Sequence, residues 1–120
     1  MISLELPWPP STNQIWRNTV VGGRPRTLLS AAGRSYRAAV LGVVLQAGAK
    51  MGVTGRIRLN ITAHPPDKRK RDLDNMLKAP LDALTHAGVW LDDSQVDALL
   101  IERGEVCKGG RLLVAISYEG

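Results

Sequence analysis

Lys68-Arg69-Lys70-Arg71-Asp72-Leu73-Asp74-Asn75 forms the centre of a stretch, residues 67–93, on which the reading of this chain turns. Four consecutive cations run directly into two carboxylates spaced i, i+2. A second acidic pair, Asp92-Asp93, closes the stretch after a short helical pattern. Lys and Arg suit the oxygens of a phosphodiester, and the hard divalent metals that cleave it need carboxylate ligands. The combination predicts a metal-dependent nuclease site.

Spacing assigns the roles. In an extended segment residues two apart project to the same side, so Asp72 and Asp74 can hold one ion while Leu73 faces the core. In a helix they would stand about 200° apart and could not share it. Asp72 is therefore expected before a helix, and Asp74 at its N-terminus, where the dipole favours an anion. Lys78 follows one turn later on the same face, placed to orient a scissile phosphate or stabilise charge building on it. Mg²⁺ keeps several waters and takes ligands from substrate phosphate, so two carboxylates are few. Asp93, from the next loop, is expected to complete the set. Asp72, Asp74 and Asp93 are thus the candidate metal ligands for Mg²⁺, with Mn²⁺ able to substitute, and Lys78 is the fourth catalytic candidate. Asp92 would point away and is expected to cap a helix or turn. Asp82 is expected to pair with Lys78 at i, i+4.

Outward from this centre, Ile57, Leu59, Ile61 and Ala63 alternate with Arg56, Arg58, Asn60 and Thr62, a strand with one apolar and one basic face. His64-Pro65-Pro66 stops it. Upstream, Ser30 reads as the N-cap of a helix reaching about residue 49. Tyr36, Val40, Val43, Val44, Ala47 and Met51 form its apolar stripe. Ile2, Leu4 and Leu6 mark a short strand that Pro7-Trp8-Pro9-Pro10 ends. Residues 11–26, polar and basic, read as a long loop anchored by Trp16. Downstream, a helix from about Asp74 carries Leu77, Leu81 and Leu84 inward and stops at Gly88, with Pro80 expected to bend it. Two strands follow, near 96–103 and 111–118. The loop between them, Lys108-Gly109-Gly110, is either a hairpin turn or a close approach to DNA backbone. The order β-α-β-α-β-β predicts an α+β domain, residues 1–120, with helices on one face of a small mixed sheet.

Charge is divided along the chain. Residues 1–71 carry twelve Lys and Arg against Glu5 and Asp67, a balance of +10; residues 72–120 carry four against nine acids, a balance of −5. The basic half points to a polyanion. Lys68, Arg69, Lys70 and Arg71, with Arg24, Arg26, Lys108 and Arg111, are the candidate DNA contacts. Cys107 stands alone, which excludes a disulfide framework and a CxxC metal site. His64 and His86 lack partners at metal spacing. The first residues lack a basic n-region and an apolar run, no stretch reaches the roughly 18 apolar residues of a membrane helix, and a cytoplasmic protein is expected. At 120 residues there is little room for a nucleotide-binding α/β domain, so no nucleotide cofactor is expected. Trp8 and Trp90 read as core anchors.

At these residues the chain resembles the RusA family of Holliday junction resolvases, small endonucleases typical of prophages. The resemblance runs from Leu6-Pro-Trp-Pro-Pro-Ser11 through Pro66-Asp-Lys-Arg-Lys-Arg-Asp-Leu-Asp-Asn75. It continues in Asp82-Ala-Leu-Thr85, Ala87-Gly88, Trp90-Leu-Asp-Asp-Ser-Gln-Val96 and Lys108-Gly-Gly-Arg-Leu112. It implies a homodimer that binds four-way DNA junctions and cuts two opposed strands symmetrically with Mg²⁺, leaving ligatable nicks. Carried over by motif, the metal-binding acids fall on Asp72, Asp74 and Asp93, the catalytic lysine on Lys78, and a DNA-binding position on Arg71. The alternatives are a nuclease acting on flaps or forks, and a non-catalytic junction-binding protein whose acids only cap helices.

Overall fold

A computed structural model describes residues 1–118, apart from the side chains of Thr12, Asn13, Thr19, Val21, Pro25, Arg26 and Thr27. Its central strand is the one with the strictest alternation. In β4 (Ile57–His64) the residues Ile57, Leu59, Ile61 and Ala63 are buried, while Arg58 and Asn60 are exposed. β1 (Ile2–Pro7) buries Leu4 and Leu6, and β6 (Arg111–Tyr118) buries Leu112, Val114 and Ile116. With β5 (Val96–Arg103) they make a mixed sheet in the order β1-β6-β4-β5. β6 runs antiparallel to both β1 and β4, and β5 runs parallel to β4. The two consecutive strands β5 and β6 are therefore not neighbours, so the Lys108-Gly109-Gly110 turn is not a hairpin.

A parallel pair needs a crossover. That of β4 and β5 is the helix α3 (Lys78–His86), entered through a 3-10 turn, Leu73–Met76, and left through another, Asp93–Gln95. The expected bend at Pro80 is absent for a clear reason. The expected single helix is divided at Leu77, so Pro80 is the third residue of α3, where no backbone donor is required. Gly88, at φ +85°, ends the helix, with the Val89 amide donating to the Leu84 carbonyl at 3.2 Å.

The longest helix, α2 (Ala31–Gln46), starts as expected: the Ser30 hydroxyl accepts from the Gly33 amide at 3.1 Å. It buries Tyr36, Val40 and Val44. It stops before the stripe does, so Ala47 and Met51 are exposed. α2 packs along α3 and β1, and the bidentate Arg37–Asp82 ion pair, 2.8 and 3.1 Å, joins the two helices. Asp82 thus pairs with Arg37 rather than with Lys78. Residues 11–26 are not a loop. They form a short helix, α1 (Thr12–Ile15), and a hairpin of β2 (Trp16–Val21) and β3 (Arg24–Leu29). Gly22 and Gly23, at φ +59° and +77°, supply the turn that two positive φ values require. The helices line one side of the sheet over a continuous core, the α+β arrangement read from the sequence with one hairpin added.

Candidate active site

The segment leaving the carboxyl end of β4 is tied down at Asp67. Its carboxylate accepts the Arg69 amide at 3.0 Å and pairs with the Arg71 guanidinium at 2.8 Å. The Arg71 hydrogen bond, then the Arg69 amide, hold the Asp67 carboxyl down at about 2. Arg71 also lies over the Trp8 ring, 5.7 Å from its centroid. Its carbonyl accepts from Arg103 Nη2 on β5 at 2.6 Å. Arg71 is therefore half-buried and structural as well as cationic. Lys68 and Lys70 project into solvent and have no side-chain partner among the described residues. Arg69 reaches back to Asp67 at 3.5 Å.

Asp72 follows in an extended conformation, φ −84° and ψ 134°, immediately before the 3-10 turn that holds Asp74. Both side chains are exposed and neither has a hydrogen-bond or ion-pair partner among the described residues. Glu5, Asp67, Asp82 and Asp97 are all paired with arginine. Unpaired carboxylates beside unpaired lysines, rather than neutralised by them, are available to a third party. Lys78 stands exposed as the first residue of α3, and the break at Leu77 puts Asp74 in the preceding 3-10 turn rather than on the same helix. A cleft of about 520 Å³ opens between this segment and the proline stretch, lined by Trp8, Ser11, Lys70, Arg71, Asp72 and Asn75. Hard, solvent-facing carboxylate oxygens are the donors a water-retaining divalent cation takes.

Asp93 is elsewhere. Its Oδ1 accepts from the Thr85 hydroxyl, and from Trp90 Nε1 at 3.3 Å. Trp90 Nε1 also donates to Thr85 Oγ1 at 2.6 Å. Thr85 lies in the last turn of α3, whereas Lys78 is its first residue and Asp74 lies in the 3-10 turn before it, so about 10 Å of helix separates Thr85 from Lys78 at 1.5 Å per residue. Among the described residues no group of three or more His, Cys, Asp or Glu could hold a metal ion. The expected convergence of Asp72, Asp74 and Asp93 is not made within one chain. Asp92 caps the turn as read, accepting from the Ser94 amide at 3.2 Å.

Of the other DNA-contact candidates, Arg24 and Lys108 are exposed, Arg111 pairs with Glu5 at 2.8 Å, and the Arg26 side chain lies outside the described residues. Gly110 packs on Trp8. A Cβ there would stand 2.9 Å from the Trp8 side chain, so this close approach is to the protein itself. His64 Nδ1 is bound to the Glu105 carbonyl at 2.9 Å, His86 is exposed, and Cys107 is half-buried and free. Trp90 is fully buried and Trp8 half-buried. Sequence reasoning did not identify Thr85 and Trp90 as the holders of Asp93; their signal was position, since both belong to the blocks that flank it. The Arg103–Arg71 contact joins residues far apart in the chain and has no local signal. No helix among the described residues is long and apolar enough to cross a membrane.

Comparison with known proteins bears on the same segment. The family described as Endodeoxyribonuclease RusA matches residues 7–117. The chain is 44% identical to the "Crossover junction endodeoxyribonuclease RusA" of Shigella sonnei (strain Ss046) over 98% of its own length and 95% of that protein's. The same figures hold for the protein of that name from Escherichia coli (strain K12). A third relative, from Enterobacteria phage 82, is 43% identical over 98% of this chain and 94% of its own. Matched along nearly its whole length, with the basic run, the two exposed aspartates and the crossover helix inside the match, the chain belongs to the RusA endodeoxyribonuclease family.

Proposed function

We propose that this protein is a crossover junction endodeoxyribonuclease that uses Mg²⁺ to nick opposed strands of four-way DNA as a homodimer. The observation that carries the reading is Asp72, which lines a cleft together with Lys70 and Arg71, with Asp74 two residues on, both carboxylates exposed and unpaired among the described residues. Lys68 and Lys70 grip the backbone on either side. Asp72 and Asp74 hold the cation, and Lys78 meets the charge that builds on the scissile phosphate. Bound there, Mg²⁺ supplies an acidified water and neutralises phosphate charge. Thr85 and Trp90 fix one oxygen of Asp93 and leave the other to act.

The separation of Asp93 from Asp72 by the length of α3 is an argument for the dimer. A two-fold axis that sets the start of one α3 near the end of the other makes the partner's Asp93 the third ligand. A four-way junction is itself nearly two-fold symmetric, so two such composite sites fall on equivalent strands. The test is end-labelled four-way, forked and linear duplex DNA, each incubated with the protein in Mg²⁺ or EDTA. Paired nicks near the crossover, in Mg²⁺ only, are expected. Equal absence of cutting in both would leave a junction-binding protein, and preferential cutting of forks a different nuclease.

A further inference from the structure

β5 is an edge strand of the sheet, and among the described residues no strand pairs with its second edge. An exposed, apolar edge is one that proteins ordinarily blunt, because its free N–H and C=O groups are a template for another strand. Here the middle of the strand is Ala98-Leu99-Leu100-Ile101, and Leu99 and Leu100 are 40% and 51% exposed. No proline or lysine interrupts it. Its charges lie at the ends: Asp97 near the start, Glu102 and Arg103 at the finish.

We propose that this edge is the surface on which two copies of the chain associate, β5 pairing antiparallel with β5 of the partner about Leu100. The inference rests on the homodimer of the preceding section and assigns its interface. Three observations select this occupant and register. A strand paired with itself about Leu100 sets Leu100 against Leu100, Leu99 against Ile101, and Asp97 against Arg103, so that opposite charges meet at both ends in addition to the contacts these two make with Arg56 and the Arg71 carbonyl in their own chain. Moving the two-fold axis by one residue, to Leu99 or to Ile101, would instead set a charge against an apolar side chain, Asp97 against Ile101 or Arg103 against Leu99. Lastly, the pairing puts the start of one β5 beside the finish of the other. Asp93 lies three residues before the start of β5, and at its finish Arg103 holds the Arg71 carbonyl next to Asp72. The same contact that joins the sheets thus carries each Asp93 toward the partner's Asp72.

Cysteine trapping tests the register. Directly opposed residues of an antiparallel pair have Cα atoms about 4.5–5.5 Å apart, within disulfide reach. In a Cys107→Ser background, Leu100→Cys is expected to give a covalent dimer on oxidation, and Leu113→Cys, on a strand away from this edge, is not. Sedimentation of the uncrosslinked protein accompanies it. Leu100→Lys, at a position already half in solvent, is expected to keep the fold and raise the dimer dissociation constant about tenfold or more by setting like charges together on the axis. Arg103→Glu is expected to weaken the dimer, and Asp97→Arg combined with it to restore it. A dimer that survives Leu100→Lys and does not crosslink through Leu100→Cys would overturn the β5 interface while leaving the homodimer standing. A protein monomeric at all concentrations would overturn both.

Discussion

The Thr85 hydroxyl, in the last turn of α3, donates to the Asp93 carboxylate in the turn that precedes β5, while the buried Trp90 indole donates to both. The hydroxyl has one proton, and the Leu81 carbonyl, 3.0 Å away, competes for it. Asp93 therefore has one oxygen fixed by its neighbours, the arrangement that orients a ligating carboxylate.

Thr85→Val keeps the side-chain shape and removes the donor. Nicking is expected to fall about 10–100-fold, with more Mg²⁺ needed for half-maximal rate, and Thr85→Ser is expected to recover most of it. Rate against Mg²⁺ concentration, read beside the melting temperature, checks this. A variant that melts earlier but keeps the wild-type Mg²⁺ dependence would make Thr85 structural only.

Asp72→Asn is expected to abolish nicking and leave junction binding intact or tighter, because it removes negative charge beside phosphates. Gel-shift titration in EDTA and a nicking assay in Mg²⁺ separate the two effects. Cutting at the wild-type rate would dismiss Asp72 as a ligand.

The cations of the basic run should not behave alike. Lys70→Ala removes an exposed, unpaired charge and should lower the slope of log affinity against log salt by roughly one unit, with no change in melting temperature. Arg71→Ala releases Asp67, uncovers Trp8 and frees the loop, so it should lower stability as well as binding. Equal thermal behaviour of the two variants would argue against the Arg71 tether.

Asp67 makes the same tether sensitive to acid. Its carboxyl is held at about 2, below the ordinary 3.8, so its contribution is complete above pH 3.8 and is lost as pH falls through about 2. The stability difference between wild type and Asp67→Asn is expected to be constant at neutral pH and to shrink across that window. Chemical denaturation at a series of pH values measures it, and a difference that stays constant down to pH 2 would contradict the assignment.

Arg37 and Asp82 hold α2 against α3 through a partly buried bidentate pair. Either alanine variant is expected to cost about 1 kcal/mol, and the double variant less than the sum. Denaturant titration gives the coupling. Mg²⁺ dependence should not move, since Arg37 and Asp82 are engaged with each other and neither is a candidate metal ligand.

Much of this was legible in the chain because it is local. The alternation of Ile57 to Ala63 gave β4, Ser30 gave the start of α2, Gly88 gave the end of α3, and the i, i+2 spacing required Asp72 to be extended, as it is. The hairpin β2–β3 escaped because neither strand alternates apolar with polar residues and Pro25 interrupts the second, although Gly22-Gly23 was the turn signal to heed. Pro80 misled because the break at Leu77 moves it into a first turn. What no window of sequence could supply was direction. β5 lies parallel to β4, and this alone puts Asp93 at the opposite end of the crossover from Asp72.

That crossover has a consequence for dosage. If the two ends of α3 furnish halves of different catalytic centres, a newly synthesised chain is unarmed, and only an encounter with its twin completes the cutting tool. At scarce protein the rate of strand scission then climbs with the square of the amount present, so a cell holding few copies is guarded against stray damage to its chromosome by simple dilution.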